Sequence, residues 1–178
     1  MNNIQEIYQN TIKFAAQLHA DKNQTIPGTN LPYVVHLSNV AMEILIASEK
    51  SENFDTEFAV QLALLHDTLE DTVVTFEQIE NEFGKKVAQG VLALTKNSDL
   101  EKSEQMMDSL RRIQQQPKEV WAVKLADRIT NLQRPPHFWK AEKIQKYKEE
   151  AQIILNELRG GNEYLENRLK EKIETYNQ

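Results

Sequence analysis

Apolar residues recur along most of the chain at intervals of three and four positions, the spacing of one face of an α-helix. No segment shows the alternation of apolar and polar residues that is typical of a strand. The pattern predicts eight or nine helices, in the segments IQEIYQNTIKFAAQLHA, YVVHLSNVAMEILIAS, NFDTEFAVQLALLHDTLEDT, FEQIENEF, KKVAQGVLALT, EKSEQMMDSLRRIQQQ, KEVWAVKLADRITNL, FWKAEKIQKYKEEAQIILNELR and EYLENRLKEKIETY. We expect an all-α fold, a compact single-domain helical bundle over residues 1–178, with 161–178 as a C-terminal helical appendage.

Several predicted helix ends carry typical boundary residues. Asp55 is placed as an N-cap, and Thr75 with Gln78 has the spacing of a capping box. Gly84 follows the end of that helix, and Pro117 opens a later helix at a first-turn position. These residues predict where the chain turns between helices.

The segment NFDTEFAVQLALL is apolar on nearly every side, which predicts a central position in the bundle. It ends in four ionisable residues, His66, Asp67, Glu70 and Asp71. On a continuous helix, His66 and Glu70 are four positions apart, as are Asp67 and Asp71, so all four would share one stripe. Carboxylates at that spacing repel each other unless a cation lies opposite. A helix end that emerges into solvent would explain this cluster taken alone.

Two other apolar helices also present polar side chains. Asp127 ends the apolar run of VWAVKLAD, with Asn131 one turn later, and His36 lies in the nearly apolar segment YVVHLSNVAMEIL. A lone histidine on an apolar helix is more often a hydrogen-bonded core residue than a ligand. We interpret His19 and His137 in that way.

Taken together, three apolar helices present two imidazoles and two carboxylates, from His36, His66, Asp67 and Asp127. Buried carboxylates need a partner cation. A mixed set of nitrogen and oxygen ligands without thiolate suits Mn²⁺ or Fe²⁺, with Zn²⁺ and Co²⁺ as alternatives. The sequence predicts a divalent metal site and leaves the identity of the metal open.

Composition narrows the class of protein. The chain has 178 residues, a net charge of −6 and no cysteine, which excludes disulfides, thiolate metal sites and cysteine nucleophiles. An acidic chain is a poor candidate for binding nucleic acid, and no apolar run is long enough to span a membrane. The N-terminal segment MNNIQEIYQN lacks the features of a signal peptide, so we expect a cytoplasmic protein.

The order of His36, the His66–Asp67 pair and Asp127 resembles the H…HD…D signature of the HD superfamily of metal-dependent phosphohydrolases. The local motifs resemble those of Rel/Spo-type (p)ppGpp hydrolases. HDTLED is similar to the family's HD-x-x-ED, PYVVHLSNVA to PY-x-x-H-x-x-x-VA, and KLADRITNL to KLAD-R-x-x-N-L. The similarity covers residues 19–158, and the motifs occur in the family's order.

The resemblance implies an HD-type fold, Mn²⁺ as the usual metal, and metal ligation by His36, His66, Asp67 and Asp127. It implies catalytic roles for Glu70 and Asp71. It implies contact with a nucleotide by Asn131, Lys96, Lys143 and Tyr147. Candidates for contact with the phosphates are Lys96, Lys124, Arg128 and Lys143.

The reaction that the resemblance implies is hydrolysis of ppGpp or pppGpp at the 3′ side, giving GDP or GTP and pyrophosphate. The length of the chain predicts a small stand-alone hydrolase without a synthetase domain. The first loop departs from the family's H-x-x-Q-x-R pattern, because HADKNQTIPGTNLPY is longer and has Ile26 in the place of the arginine. This departure concerns selectivity for the base more than the chemistry.

Other functions remain compatible with the sequence. The altered loop favours an HD phosphohydrolase that acts on another nucleotide or small phosphate ester. A non-enzymatic, metal-containing nucleotide-sensing bundle is a further alternative, although Glu70 and Asp71 argue against it because a structural site needs neither. A helical scaffold without a site is the third. The amphipathic final helix either caps the bundle or meets a second subunit, so an oligomer stays open.

Overall fold

The computed structural model describes residues 3–176, and within that range it contains ten helices and no strand. The helices are α1 (Ile4–Asp21), α2 (Val34–Glu49), α3 (Thr56–Leu65), α4 (Thr68–Asp71), α5 (Phe76–Phe83), α6 (Lys85–Leu94), α7 (Lys102–Gln114), α8 (Lys118–Asn131), α9 (Ala141–Glu157) and α10 (Glu163–Thr175). The all-α prediction is confirmed. The first two residues of the predicted N-terminal segment and the last two of the predicted appendage lie outside the described range.

Side-chain caps begin two of these helices at the predicted positions. The Asp55 carboxylate accepts a hydrogen bond from the backbone N–H of Phe58 at 3.1 Å and begins α3. Thr75 and Gln78 form the predicted capping box of α5, with bonds of 3.3 and 2.9 Å between each side chain and the other residue's backbone N–H. Each cap satisfies backbone donors that the first helical turn leaves unpaired.

Helices α3 and α8 form the centre of the bundle. Seven of the ten residues of α3 are buried, which confirms the central position predicted from its apolar sequence. Helix α3 packs against α1, α2, α6 and α8, and α8 also packs against α2 and α10. The three helices that carry or adjoin the predicted metal ligands, α2, α3 and α8, therefore contact one another.

The continuous helix predicted through HDTLED is wrong, because the chain breaks between α3 and α4 at His66 and Asp67. Nδ1 of His66 bonds the carbonyl oxygen of Ala63 at 2.9 Å, and the hydroxyl of Thr68 donates to the carbonyl oxygen of Leu65 at 2.7 Å. Side chains that bond nearby carbonyls compete with the backbone hydrogen bonds of a helix. The break also explains why residues 3–176 contain ten helices instead of eight or nine.

The start of α9 also differs from the prediction. A helix was expected from Phe138, whereas α9 begins at Ala141. The backbone N–H of Trp139 donates to the carbonyl oxygen of Pro136 at 2.9 Å and closes a turn instead. This turn takes up the residues that were expected to begin the helix, so α9 starts only after it.

The two histidines interpreted as core residues have different environments. His19 is 1% exposed and bonds the side chain of Gln24, so its interpretation is confirmed. His137 is exposed, so its interpretation is wrong. The physical reason is that His137 lies in the proline-rich connection between α8 and α9, and such connections run over the surface.

Helix α10 packs against α2, α8 and α9 and buries Leu165, Leu169 and Ile173. Its Arg168 binds Glu43 of α2 through two hydrogen bonds of 2.6 Å each. The assignment of residues 1–178 to one domain with an appendage at 161–178 stays a prediction. None of the helices within the described range is long and apolar enough to cross a membrane.

Arg168→Met is expected to lower the free energy of unfolding by about 3 kcal/mol, because the Glu43 side chain is only 4% exposed and would lose its cation. The double variant Glu43→Leu/Arg168→Met should recover most of that loss, since it leaves no unpaired buried charge. Urea denaturation measures both values. Lys86→Met is the control, because its partner Asp55 is 46% exposed and such a pair contributes about 1 kcal/mol or less. Equal stability of Arg168→Met and the wild type would contradict the prediction.

Candidate metal centre

Two imidazoles and two carboxylates converge at one point of the bundle. His36 belongs to α2, His66 and Asp67 form the break between α3 and α4, and Asp127 belongs to α8. The Nε2 atoms of His36 and His66 are 3.3 Å apart. Oδ1 of Asp127 lies 3.5 and 3.7 Å from these two nitrogens, and Oδ2 of Asp67 lies 3.8 and 3.0 Å from them. The structure therefore brings both predicted carboxylate ligands to the two imidazoles, and the ligand atoms of His36, His66 and Asp67 all lie within 4.8 Å of one another.

This donor set fits a divalent metal ion. Ligand atoms that bind at about 2.1 Å are about 3.0 to 3.5 Å apart in octahedral or tetrahedral coordination. The measured separations of 3.0 to 3.8 Å are close to that range. His36, His66 and Asp127 are 6%, 3% and 7% exposed, so a carboxylate placed there needs a cation. The His/Asp cluster is therefore a candidate metal-binding site.

Both imidazoles are oriented for ligation through Nε2. The carbonyl oxygen of Ala63 can only accept, so Nδ1 of His66 carries the proton in their 2.9 Å bond. The hydroxyl of Thr130 donates to the carbonyl oxygen of Asp127 at 2.9 Å, which leaves its oxygen to accept from Nδ1 of His36 at 3.4 Å. In the neutral form, each Nε2 then has a lone pair directed at the cluster, as metal ligation requires.

The two carboxylates are held by groups around the cluster. The hydroxyl of Tyr33 donates to Oδ2 of Asp67. Nζ of Lys124 lies 3.0 Å from Oδ2 of Asp127, and the amide of Asn131 donates to Oδ1 of Asp127 at 2.5 Å. Burial opposes ionisation of Asp127, but Lys124 and the imidazoles outweigh it and hold the pKa of Asp127 well below its ordinary value.

The charges inside the cluster also shift each other's pKa values. Burial lowers the pKa of His66, but the carboxylates of Asp67 and Asp127 outweigh it and raise that pKa to about 10. Burial alone would raise the pKa of Asp67, but the positive charge of His66 outweighs burial and holds that pKa below its ordinary value. A proton on His66 therefore offsets part of the negative charge of the metal-free cluster, and a divalent ion would displace that proton on binding.

Glu70 and Asp71 do not share one helical stripe with His66 and Asp67, because α3 and α4 are separate helices; that prediction is wrong. Glu70 is paired with Lys96, at 2.6 Å to Nζ and 3.1 Å to the backbone N–H. Oδ2 of Asp71 instead accepts from the side-chain amide of Gln24 at 2.8 Å. Partial desolvation raises the pKa of Asp71, and the nearby carboxylates add to that shift although Gln24 opposes it. One acid is thus neutralised by a cation and the other is bound by a neutral amide.

The remaining predicted contacts lie around an aromatic group. The ring of Trp139 packs edge-on against that of Tyr147 at 5.2 Å, and Nζ of Lys143 lies 4.1 Å from the Trp139 ring. The guanidinium of Arg128 lies 4.3 Å from the Tyr147 ring. Contact with a nucleotide stays a prediction for Asn131, Lys96, Lys143 and Tyr147.

Sequence reasoning missed three residues that hold the predicted groups. Tyr33 and Thr130 each lie three positions from a predicted ligand, but Tyr33 bonds Asp67 and Thr130 bonds the imidazole of His36, so helical spacing places both near the site without predicting their partners. Gln24 lies 47 positions from Asp71, in a loop without periodicity. No pattern in the sequence connects these two residues.

A protein-family model described as HD domain matches residues 11–162. The chain belongs to the HD domain family. The family predicted from the H…HD…D motif is confirmed, together with its all-α fold.

Similar proteins match this HD domain protein over most of its length. Guanosine-3′,5′-bis(diphosphate) 3′-pyrophosphohydrolase MESH1 of Danio rerio is 37% identical, and the match covers 90% of this chain and 89% of the relative. A protein of the same enzyme name from Aquifex aeolicus is 31% identical, with 84% of this chain matching 20% of that longer protein. A solved structure, described as a metazoan ortholog of SpoT that hydrolyzes ppGpp, has a TM-score of 0.81 and 29% identity over 94% of both chains.

Addition of Mn²⁺ to the metal-free protein is expected to raise Tm, because an ion that binds only the folded state stabilises it. His66→Ala removes a ligand and should abolish the increase. His137→Ala removes an exposed imidazole and should leave the increase unchanged. Differential scanning calorimetry with and without Mn²⁺ measures the effect, and a full increase in His66→Ala would contradict the assignment.

Proposed function

We propose that this protein is a metal-dependent phosphohydrolase that converts ppGpp and pppGpp to GDP and GTP with release of pyrophosphate from the 3′ position. The observation that carries the proposal is the convergence of four side chains. The carboxylate oxygens of Asp67 and Asp127 lie 3.0 to 3.8 Å from the Nε2 atoms of His36 and His66. The enzyme name of the Danio rerio relative and the description of the matching structure supply the substrate.

The residues that would hold the metal are the two imidazoles and two carboxylates of the cluster. Their nitrogen and oxygen donors suit Mn²⁺, with Fe²⁺, Co²⁺ and Zn²⁺ as alternatives. A divalent ion held there lowers the pKa of water and offsets negative charge on the phosphate oxygens. Ala63 and Thr130 keep the imidazoles oriented, and Tyr33 and Lys124 fix the carboxylates.

Asp71 is the better placed of the two acids for proton transfer. Its carboxylate is bound by the neutral amide of Gln24 and not by a cation, and partial desolvation raises its pKa, which favours exchange of a proton. Glu70 has a different role because Lys96 neutralises it. The Glu70–Lys96 pair supports a role in holding a phosphate group, since the Lys96 side chain is 51% exposed and its ammonium has three donors, of which the bond to Glu70 uses one.

The nucleotide itself is proposed to contact Asn131, Lys96, Lys143 and Tyr147. The aromatic group of Trp139 and Tyr147 offers ring surfaces for a base or ribose, and Lys143 adds a positive charge beside it. A nucleotide substrate supports a cytoplasmic location. The packing of α10 against α2 and α8 supports one domain over residues 1–178.

Purified protein with Mn²⁺ is expected to release one pyrophosphate for each ppGpp consumed, and chelation should stop the reaction. Asp127→Asn should lower kcat/KM for ppGpp by about 10³-fold or more, because it weakens metal binding. His137→Ala should retain wild-type activity. Chromatography of the nucleotide products measures turnover of ppGpp beside deoxynucleoside monophosphates and NADPH. Hydrolysis of one of these compounds without pyrophosphate release from ppGpp would contradict the proposal.

Asp71→Asn is expected to lower kcat by about 10² to 10⁴, the usual contribution of a general acid or base, with little change in KM. Glu70→Gln should raise KM more than it lowers kcat, because it changes the group that holds Lys96. Steady-state kinetics with ppGpp separates the two effects. Wild-type kcat in Asp71→Asn would remove Asp71 from the mechanism.

A further inference from the structure

Gln24 joins a buried histidine to the carboxylate of Asp71. The side-chain oxygen of Gln24 lies 2.6 Å from Nδ1 of His19, and its side-chain nitrogen lies 2.8 Å from Oδ2 of Asp71. We propose, building on the function proposed above, that His19 and Gln24 are positioning residues that fix the orientation of the Asp71 carboxylate for catalysis.

The chemistry of the groups sets the direction of both hydrogen bonds. An ionised carboxylate only accepts, so the amide nitrogen of Gln24 faces Asp71 and the amide oxygen faces His19. An amide oxygen also only accepts, so Nδ1 of His19 carries a proton. Burial lowers the pKa of His19 although Gln24 and Asp67 oppose the shift, which favours a neutral imidazole with a single N–H. A flipped Gln24 amide would place two donors opposite each other and an oxygen opposite the carboxylate.

Burial of the His19 imidazole lowers the stability of the fold, and packing alone does not explain why an imidazole is present at this position. Its Nε2 atom is buried and has no hydrogen-bond partner among residues 3–176. A leucine would fill a similar volume without an unpaired buried nitrogen, which costs stability. The feature of His19 that an apolar residue could not replace is therefore its hydrogen-bond donor at Nδ1, which bonds Gln24.

The backbone at the end of α1 brings the two side chains together. The N–H of Gln24 donates to the carbonyl oxygen of His19 at 3.1 Å, and the N–H of Asn23 donates to that of Ala20 at 2.8 Å. With φ of 51° at Asn23, these bonds form a Schellman motif, which reverses the chain after a helix. Gln24 is thereby placed next to His19 regardless of what the rest of the loop contains.

The same loop also contacts the metal centre. The backbone carbonyl of Gln24 accepts from the N–H of Tyr33 at 3.1 Å, and the Tyr33 ring packs against the His19 ring at 4.8 Å. The hydroxyl of Tyr33 donates to the predicted metal ligand Asp67. One short segment therefore bonds both the acid and a ligand, so it fixes the position of one relative to the other.

Gln24→Met keeps the length of the side chain and removes both hydrogen bonds. It is expected to lower kcat for ppGpp by about tenfold, the lower end of the effect seen when groups that orient a site are removed, with little change in KM. Gln17→Met is the matched control. The side-chain amide of Gln17 donates to Asp21 at 2.7 Å, and both residues lie on α1. This bond is exposed and does not involve Asp71. Gln17→Met should retain wild-type kcat.

A second pair of variants tests the role of His19 separately from its packing. His19→Asn keeps a side-chain N–H close to the place of Nδ1 and should retain most of the activity, whereas His19→Leu should lower kcat as much as Gln24→Met does. In an Asp71→Asn background, Gln24→Met should lower kcat little further, since the effects of residues that act through one another do not add. The Tm increase with Mn²⁺ should be the same in all of these variants. A purely structural role predicts instead equal losses with and without Asp71.

Different outcomes separate this inference from the proposed function. Turnover of ppGpp by the wild type, with unchanged kcat in Gln24→Met and His19→Leu, would overturn this inference alone. Absence of turnover in the wild type would overturn the proposed function and the catalytic part of the inference together. The side-chain amide resonances of Gln24 then still test the geometry by NMR. They should shift in both His19→Leu and Asp71→Asn, and signals unchanged in both variants would overturn the hydrogen-bonded arrangement.

Discussion

The structure depends on one electrostatic constraint, the confinement of two carboxylates and two imidazoles in a space a few ångströms across. Oδ1 of Asp127 and Oδ2 of Asp67 each lie within 3.8 Å of both Nε2 atoms, and three of the four residues are almost completely buried. Such a group is stable only around a positive charge, which a proton supplies in part and a divalent ion supplies fully. The packing of α2, α3 and α8 and the groups that surround the cluster all serve to keep these donors together.

Much of the fold could be predicted from local sequence because it is determined locally. The caps at Asp55 and Thr75 need only the next three residues, and the burial of α3 follows from its continuous apolar sequence. The break at His66 and Asp67 could not be predicted in this way. A spacing of four fits a continuous helix equally well, and the hydrogen bond from His66 to Ala63 competes with the helix only when the imidazole is drawn toward its partners on other helices.

The candidate site, like the fold, could be predicted only where local sequence determines it. The four predicted ligands lie within or at the ends of apolar segments, so their convergence could be predicted from burial and charge together with the motif. The environments of Glu70 and Asp71 could not, since each depends on a partner from a distant segment, Lys96 in one case and Gln24 in the other. Two acids adjacent in sequence thereby acquire different partners, a cation for Glu70 and a neutral amide for Asp71. That difference arises from tertiary contacts and has no signature in the spacing of the residues.

The bond between Glu43 and Arg168 has a consequence for the order in which the protein matures on the ribosome. Glu43 shares α2 with His36, and the guanidinium that neutralises it is synthesised 125 residues later. Until α10 is synthesised, Glu43 has no cation to offset the cost of its burial, so α2, which carries the predicted ligand His36, is held less firmly against the rest of the bundle. The packing that holds α2 is therefore completed only when α10 docks, after the segments that carry the other three predicted ligands have already been synthesised.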